Sequence, residues 1–348
     1  MGDQLTVILG AGASYDLVPK GLATVRTDYQ PPLTKDLFAG GNPRFDEILV
    51  KYPEALVLAA TIRIETDTKN ANVKPLETVL KSLSESTDPN IARQFLQVPL
   101  YLQELFGSVS EKYTELPVNY SRLVSQVMTA HFEKVAFVTL NYDLLLDKAI
   151  EAFTAESIDS LEAYVRPAKK WLLVKLHGSV NWATCLANGM GGHPRNDTGV
   201  LSAVRELSGA SAIHGPLKYL SHHGERLGGP TGDDLLYPAM AIPVQGKYGF
   251  VCPDEHVSAL KEFLSSCENF LVIGTSGKDK DLLDLLNASI GRCSNLAIVG
   301  QADVESTYRR FRGHVPKLGA TGAIYGTHGF TGFVRELLDD FILTTQSR

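Results

Sequence analysis

The sequence predicts an α/β protein: a Rossmann-like parallel sheet with helices on both faces and a helical insertion. Three observations carry that expectation. Short continuous apolar runs end on glycine or a small polar residue, stretches with helical spacing lie between them, and one long stretch is helical with no convincing strand. Strands buried on both faces read as such unbroken apolar runs, whereas half-buried strands alternate.

The first strand is Leu5-Thr6-Val7-Ile8-Leu9, apolar and β-branched, running into the turn Gly10-Ala11-Gly12-Ala13-Ser14. Residues 45–130 follow with apolar positions such as Ile48, Leu49, Leu58, Leu96, Leu100 and Leu105 and read as a helical insertion. Val135 to Leu140 is the next strand and stops at Asn141. The helix after it, Asp143 to Phe153, sets Leu145, Leu146, Ala149 and Ile150 at helical spacing. Trp171 to Leu176 stops at His177-Gly178, Phe270 to Ile273 stops at Gly274-Thr275-Ser276, and Leu296 to Val299 stops at Gly300. Asp279 to Ile290 repeats leucines at 282, 283, 285 and 286. The stretch 187–234, rich in Gly, His, Asn and Pro, reads as long loops with one short helix. Residues 1–44 and 131–348 would then form the core, with 45–130 inserted and 187–234 a loop-rich excursion within it.

Composition fits and excludes. With 348 residues, 44% hydrophobic and 21% charged, the chain can bury a sizeable core, which rules out disorder as its main state. Its 33 basic and 39 acidic residues give a net charge of -6, so a global basic field for nucleic acid is absent. None of the four cysteines forms a C-x-x-C pair, so no zinc site of the ribbon type, and no other metal, is expected. No apolar run reaches the ~18 residues of a membrane span. The N-terminus lacks a secretory pattern, and although Gly2 and Thr6 satisfy the loose myristoylation pattern, Leu5 and Thr6 read as strand. A cytoplasmic chain is expected.

In an open parallel sheet, ligands bind beyond the carboxyl ends of the strands. Five such ends here deliver small or polar residues: Gly10 to Ser14, Asn141 to Asp143, His177 to Ser179, Gly274 to Ser276, and Gly300-Gln301. The glycine turn suits close approach to a pyrophosphate. Tyr15 occupies the third glycine position of the dinucleotide fingerprint, however, and no strand ending in an acidic residue follows ~20 residues later, which strains a dehydrogenase reading. Asn141 and His177 lie one strand–helix–strand unit apart, each directly after a buried strand. Each alone reads as a hydrogen-bonding residue, and Asp143 as an N-cap.

Taken in order, Gly10-Ala11-Gly12-Ala13-Ser14, Thr139-Leu140-Asn141-Tyr142-Asp143, Lys175-Leu176-His177-Gly178-Ser179 and Ile273-Gly274-Thr275-Ser276 resemble the sirtuin-like NAD-binding family. The resemblance covers roughly residues 5–40, 131–183 and 235–345. It implies NAD as a substrate, with Gly10, Ala11, Gly12, Ala13 and Ser14 on the diphosphate. It places Asn141 with Asp143 at the nicotinamide ribose and a reacting water, His177 as general base, and Gly274, Thr275 and Ser276 toward the adenosine. The zinc cysteine pairs of the deacylating sirtuins are missing, and Tyr29 to Phe38 stands where those enzymes carry a Gly-Ile-Pro-x-Phe-Arg loop. The chain thus resembles the zinc-less bacterial branch that hydrolyses NAD in anti-phage defence. That resemblance implies an NAD glycohydrolase, a homo-oligomer, and an activating partner such as a hexameric ATPase or an Argonaute-like protein; residues 45–130 are expected as the subunit interface. The alternatives are a protein deacylase or ADP-ribosyl transferase, or a non-catalytic NAD or ADP-ribose sensor.

The remaining features read as ordinary. His222-His223, with His193 and His214, are expected as solvated loop histidines without metal. Trp171 and Trp182 are expected in packing, Lys278 to Asp281 as a charged helix start, and Cys252, Cys267 and Cys293 as buried or half-buried hydrophobes.

Overall fold

The computed structural model describes residues 3–18, 27–67, 73–113, 118–185, 197–206, 216–225, 227–228, 234–243, 249–301, 303–326 and 329–346. His193 and His214 lie outside the described residues. The strands, in chain order, are β1 (Gln4–Leu9), β2 (Lys134–Thr139), β3 (Trp171–Lys175), β4 (Gly178–Cys185), β5 (Lys218–Tyr219), β6 (Leu227–Gly228), β7 (Asp234–Met240), β8 (Asn269–Ile273), β9 (Ser294–Val299) and β10 (Leu318–Tyr325).

The chain divides into two compact units. The first comprises Met1–Pro31, Lys112–His177 and Lys247–Arg348. Its sheet has six strands in the order β10-β9-β8-β1-β2-β3, and every neighbouring pair is parallel. In order of appearance along the chain this is the 3-2-1-4-5-6 arrangement of the doubly wound fold, whose switch point lies between β1 and β8. Successive side chains in a strand point to opposite faces, yet β3 and β8 are buried throughout and β1 and β2 from their second residue on, so both faces are covered. The helices form two packed groups. Val118–Thr129, Leu145–Thr154, Gly329–Glu336 and Leu338–Gln346 make one, and Asp254–Leu264, Lys280–Ser289 and Val304–His314 the other. The expected α/β Rossmann-like core is therefore the observed one. Its sixth strand, β10, was not anticipated: it carries Gly319 and Gly322, and a side chain at Gly322 would collide with the Tyr308 ring lying over it.

The second unit comprises Pro32–Glu111 and Gly178–Gly246. It joins the helices Pro43–Val50, Pro53–Thr66, Leu76–Ser84, Pro89–Phe95 and most of Val98–Lys112 to a four-stranded sheet ordered β5-β4-β7-β6, antiparallel throughout. Prolines open three of these helices at their first turn, and Asn42 and Asp88 cap two of them by accepting backbone N–H groups. Buried cross-links tie helices to sheet: Tyr237 Oη donates to the Leu96 carbonyl at 2.7 Å and Gln103 Nε2 to the Val180 carbonyl at 2.9 Å.

Two features depart from the sequence-based division. The helix Val118–Thr129, expected within the insertion, packs on Leu145–Thr154 and belongs to the first unit. The stretch 187–234, expected as long loops with one short helix, contains the helix Asp197–Glu206 but also the short strands β5 and β6, and the β4 strand before it was read only as a strand end. Among the expected ordinary features, Trp171 and Trp182 are buried in packing, whereas Cys293 is exposed, beside Arg292 ahead of β9. His223 is not solvated either. Its ring lies against Gly107, where the helix offers no side chain, and its Nδ1 faces Glu111 Oε1 at 3.2 Å. No helix among the described residues is long and apolar enough to cross a membrane, and no group of three or more His, Cys, Asp or Glu among them could hold a metal ion.

Candidate functional site

All five predicted strand ends belong to the six-stranded sheet and, because its strands are parallel, lie along one edge. At the switch point the turn after β1 and the turn after β8 are fastened to each other. The Gly10 N–H donates to the Ile273 carbonyl at 3.0 Å and the Gly12 N–H to the Gly274 carbonyl at 2.8 Å. A β-carbon on Gly12 would sit 2.8 Å from the Gly274 oxygen, so this approach demands glycine whatever the turn binds. The Ala13 N–H also turns inward, to the Gly10 carbonyl at 2.9 Å. The glycine pattern thus has a packing cause, and three of the N–H groups expected to face a ligand are already engaged.

Beside this turn lies a buried, directional chain of hydrogen bonds. Asn141 Nδ2 donates to the Gly10 carbonyl and to Ser14 Oγ, each at 3.0 Å, and reaches the Tyr120 hydroxyl at 3.3 Å. The Tyr120 hydroxyl lies 2.9 Å from Ser14 Oγ, and Ser14 Oγ donates to Asp143 Oδ2 at 2.9 Å. Because the Ser14 proton goes to Asp143, Tyr120 must supply the proton between the two hydroxyls. Burial first, and then the Asp143 charge, push the Tyr120 hydroxyl pKa up, so it stays a donor.

Asp143 takes the Leu145 N–H on Oδ1 at 3.1 Å, but it stands one residue ahead of the N-cap position expected of it, which Leu144 holds. Its carboxyl pKa is raised, by burial above all, against the lowering effect of the Lys175 ammonium and its hydrogen bonds. Lys175 is fully buried. Its Nζ donates to the Asp143 carbonyl at 2.5 Å and to Asp147 Oδ2 at 3.0 Å, while Asp147 Oδ1 accepts from the Tyr164 hydroxyl at 2.8 Å. The segment 141–143 is therefore held from both sides, by the β1 turn and by β3.

His177 follows β3 and stays partly exposed, its ring 6.4 Å from that of Tyr142. Its Nε2 lies 2.8 Å from Asp279 Oδ2, while Asp279 Oδ1 caps the helix Lys280–Ser289 through the Leu282 N–H at 2.7 Å. Burial raises the Asp279 pKa, but the hydrogen bond and charge of His177 and the Leu282 N–H outweigh it and leave that pKa below the ordinary 3.8. A depressed carboxyl pKa contributes stability that is fully present above the unfolded value and lost as pH falls through the folded one. The difference in melting temperature between wild type and Asp279→Ala should accordingly be largest above pH 3.8 and shrink below it.

Gly10, Ser14, Asn141, Asp143 and Gly274 thus meet directly, with Gly12 and Ala13 in the same turn. Ala11 opens the short helix of that turn. Thr275 and Ser276 make other contacts: Thr275 Oγ1 accepts the Gly277 N–H at 3.3 Å, and the Ser276 carbonyl accepts from Arg310 at 2.7 Å. The fifth strand end reaches the β1 turn through Gln301, whose Nε2 lies 3.4 Å from Asp16 Oδ2. Sequence reasoning missed Tyr120 and Asp279. Tyr120 was one apolar-face residue of a helix assigned elsewhere, and the only local signal at Asp279 was its capping position.

No protein-family model and no curated protein matches the chain. Solved Sir2 structures do align with it. One, described as the structural basis for the mechanism and regulation of Sir2 enzymes, is 13% identical over 100% of this chain and 94% of its own, with a TM-score of 0.42. A Sir2 homolog–NAD complex is 13% identical over 99% and 90%, with a TM-score of 0.44. A mutant Sir2 homologue with 2′-O-acetyl ADP ribose is 12% identical over 99% and 93%, with a TM-score of 0.46.

Proposed function

We propose that the chain is an NAD glycohydrolase, cleaving NAD with water to nicotinamide and ADP-ribose. The observation that carries this reading is the His177–Asp279 pair, standing at the same sheet edge as the anchored Asn141 amide. With Nε2–H directed at Asp279, Nδ1 of His177 holds the lone pair that a general base needs. With Nδ2 of Asn141 engaged by Gly10, Ser14 and Tyr120, its Oδ1 is the atom that would accept a hydrogen bond from a water or a ribose hydroxyl.

The chemistry asks little else of the protein. Nicotinamide leaves neutral from a cationic ring, so no acid is needed on the leaving group. The bond from the ribose anomeric carbon to the nicotinamide nitrogen breaks, a bond from that carbon to the water oxygen forms, and the water's proton passes to His177. Holding ribose and water together supplies much of the rate. Residues 10–14 would take the diphosphate, Asp143 would hold the Asn141 turn, and Gly274, Thr275 and Ser276 would lie toward the adenosine. The reading extends to NAD depletion in anti-phage defence, by a homo-oligomer gated by an activating partner such as a hexameric ATPase or an Argonaute-like protein.

The test is nicotinamide release from NAD by wild type, Asn141→Ala and His177→Ala, with and without any co-expressed partner. Wild type should release nicotinamide and ADP-ribose, and His177→Ala should be slower by ~10²–10⁴-fold, the usual worth of a positioned base. Release that requires an acyl-lysine peptide would replace this reading with a deacylase. NAD binding without release under any condition would leave a sensor.

A further inference from the structure

The helix Val118–Thr129 directs its first turn at the chain leaving β1. The Asn119 N–H donates to the Leu17 carbonyl at 3.2 Å, and Asn119 Nδ2 donates to the Asp16 carbonyl at 2.6 Å. Tyr120 follows, with its ring centre 5.7 Å from that of Phe330 and its hydroxyl against Ser14 and Asn141. Residues 14–17 are thus gripped by a helix that supplies none of the predicted strand ends.

Every hydrogen-bonding position of the Ser14 hydroxyl is filled. A hydroxyl has one proton and two lone pairs. The Ser14 proton goes to Asp143 Oδ2, and its lone pairs face the Tyr120 hydroxyl and Asn141 Nδ2, at 2.9, 2.9 and 3.0 Å. Ser14 is also only 2% exposed. A diphosphate accepts hydrogen bonds and donates none, so it could engage this hydroxyl only by taking the proton given to Asp143. Asn141 is fixed by the same chain. One of its amide protons goes to the Gly10 carbonyl and the other to the Ser14 and Tyr120 oxygens. Turned over, the carboxamide would press Oδ1 against the Gly10 carbonyl, acceptor on acceptor. Tyr120 supports the observed direction twice, as a second oxygen for that proton and as the donor that leaves Ser14 only Asp143 to serve.

We infer that Tyr120 is a positioning residue for the Asn141 carboxamide, acting directly and through Ser14, and that the Ser14 hydroxyl serves this internal chain and not the diphosphate. The diphosphate is then left to other groups of the 10–14 turn. The part Asn141 plays in the reaction rests on the glycohydrolase reading, whereas the direction of its amide rests on the hydrogen bonds alone. In steady-state nicotinamide release, Tyr120→Phe should lower kcat by ~10–10²-fold and keep the KM for NAD within about twofold, because a misplaced amide harms the reacting geometry and not ground-state binding. Ser14→Ala should show the same split, and the double variant should fall short of the product of the two losses. A second readout needs no NAD. In protein isotope-labelled at asparagine nitrogen, the Asn141 side-chain protons, identified by their absence from Asn141→Asp, should exchange with water faster in Tyr120→Phe, while asparagines outside this cluster are unchanged. Faster exchange in a protein that releases no nicotinamide under any condition would uphold the positioning role and overturn the glycohydrolase reading. Unchanged exchange in Tyr120→Phe, an unchanged kcat in an active enzyme, or a Ser14→Ala variant that raises KM with kcat kept would each overturn the inference.

Discussion

Lys175→Met is expected to cost about 3–5 kcal/mol of stability, because it leaves Asp147 buried and charged without its partner. The Lys175 ammonium has no access to water and serves two acceptors at once, the Asp147 carboxylate and the Asp143 carbonyl. The deletion therefore strips the 141–143 segment of one of its two anchors. Replacing the lysine together with Asp147 and Tyr164 is a different matter: Lys175→Met, Asp147→Leu and Tyr164→Phe leave no unpaired group of those three, but the Asp143 carbonyl still loses its donor, so the triple variant should recover only part of the loss. Urea unfolding of the single and triple variants measures both, and a single-variant loss under about 1 kcal/mol would contradict the buried pair. The pH dependence has a definite sign. With its pKa raised above 3.8, Asp143 binds a proton in the native chain before the unfolded chain does, so its burial penalty sets in as pH rises through that window. Without the lysine the penalty grows, and the gap between wild type and Lys175→Met should narrow as the medium is acidified.

Gly274→Ala should be worse, beyond the ~4 kcal/mol that marks exceptional substitutions. Gly274 has φ +66°, and a β-carbon there would lie 2.2 Å from the Ala13 nitrogen and 2.5 Å from the Gly12 carbonyl carbon. Both obstacles are backbone, and they cannot yield without opening the Gly10–Ile273 and Gly12–Gly274 hydrogen bonds. Gly277 is the control. It has nearly the same φ, +64°, but its added carbon would meet only the Phe311 ring edge at 3.1 Å and the Thr307 methyl at 3.4 Å. Gly277→Ala should cost about 1–2 kcal/mol, the ordinary toll of left-handed backbone. Melting temperatures of the two variants separate clash from conformation; equal losses would mean that the two turns are not tightly fastened.

These glycines also show what the sequence made legible. The β1, β2, β3, β8 and β9 strands could be read because a strand buried on both faces is an uninterrupted apolar word, and their terminal residues share an edge once the strands are parallel. The antiparallel sheet could not: β4 opens on Gly178-Ser179 and carries Asn181, β7 contains Pro238, and each pairs with a partner tens of residues away. At the site, Asn141, Asp143 and Ser14 were identified as candidates, but their hydrogen-bonded order was not. Tyr120 enters from a helix that nothing local ties to the sheet, and the second oxygen of Asp279 acquires its meaning only when β8 lies beside β1.

That last adjacency bears on how the protein is made. One of the two sheet neighbours of β1 is β8, and Thr6 meets Cys267 across 261 residues of chain. The Gly10 and Gly12 amides find their carbonyl partners only on that distant strand, and His177 finds its carboxylate only at Asp279. Contacts so remote in sequence form late and slowly. A growing polypeptide thus carries His177 without the Asp279 carboxylate until the segment after β8 has emerged, and a chain released before β8 lacks that contact.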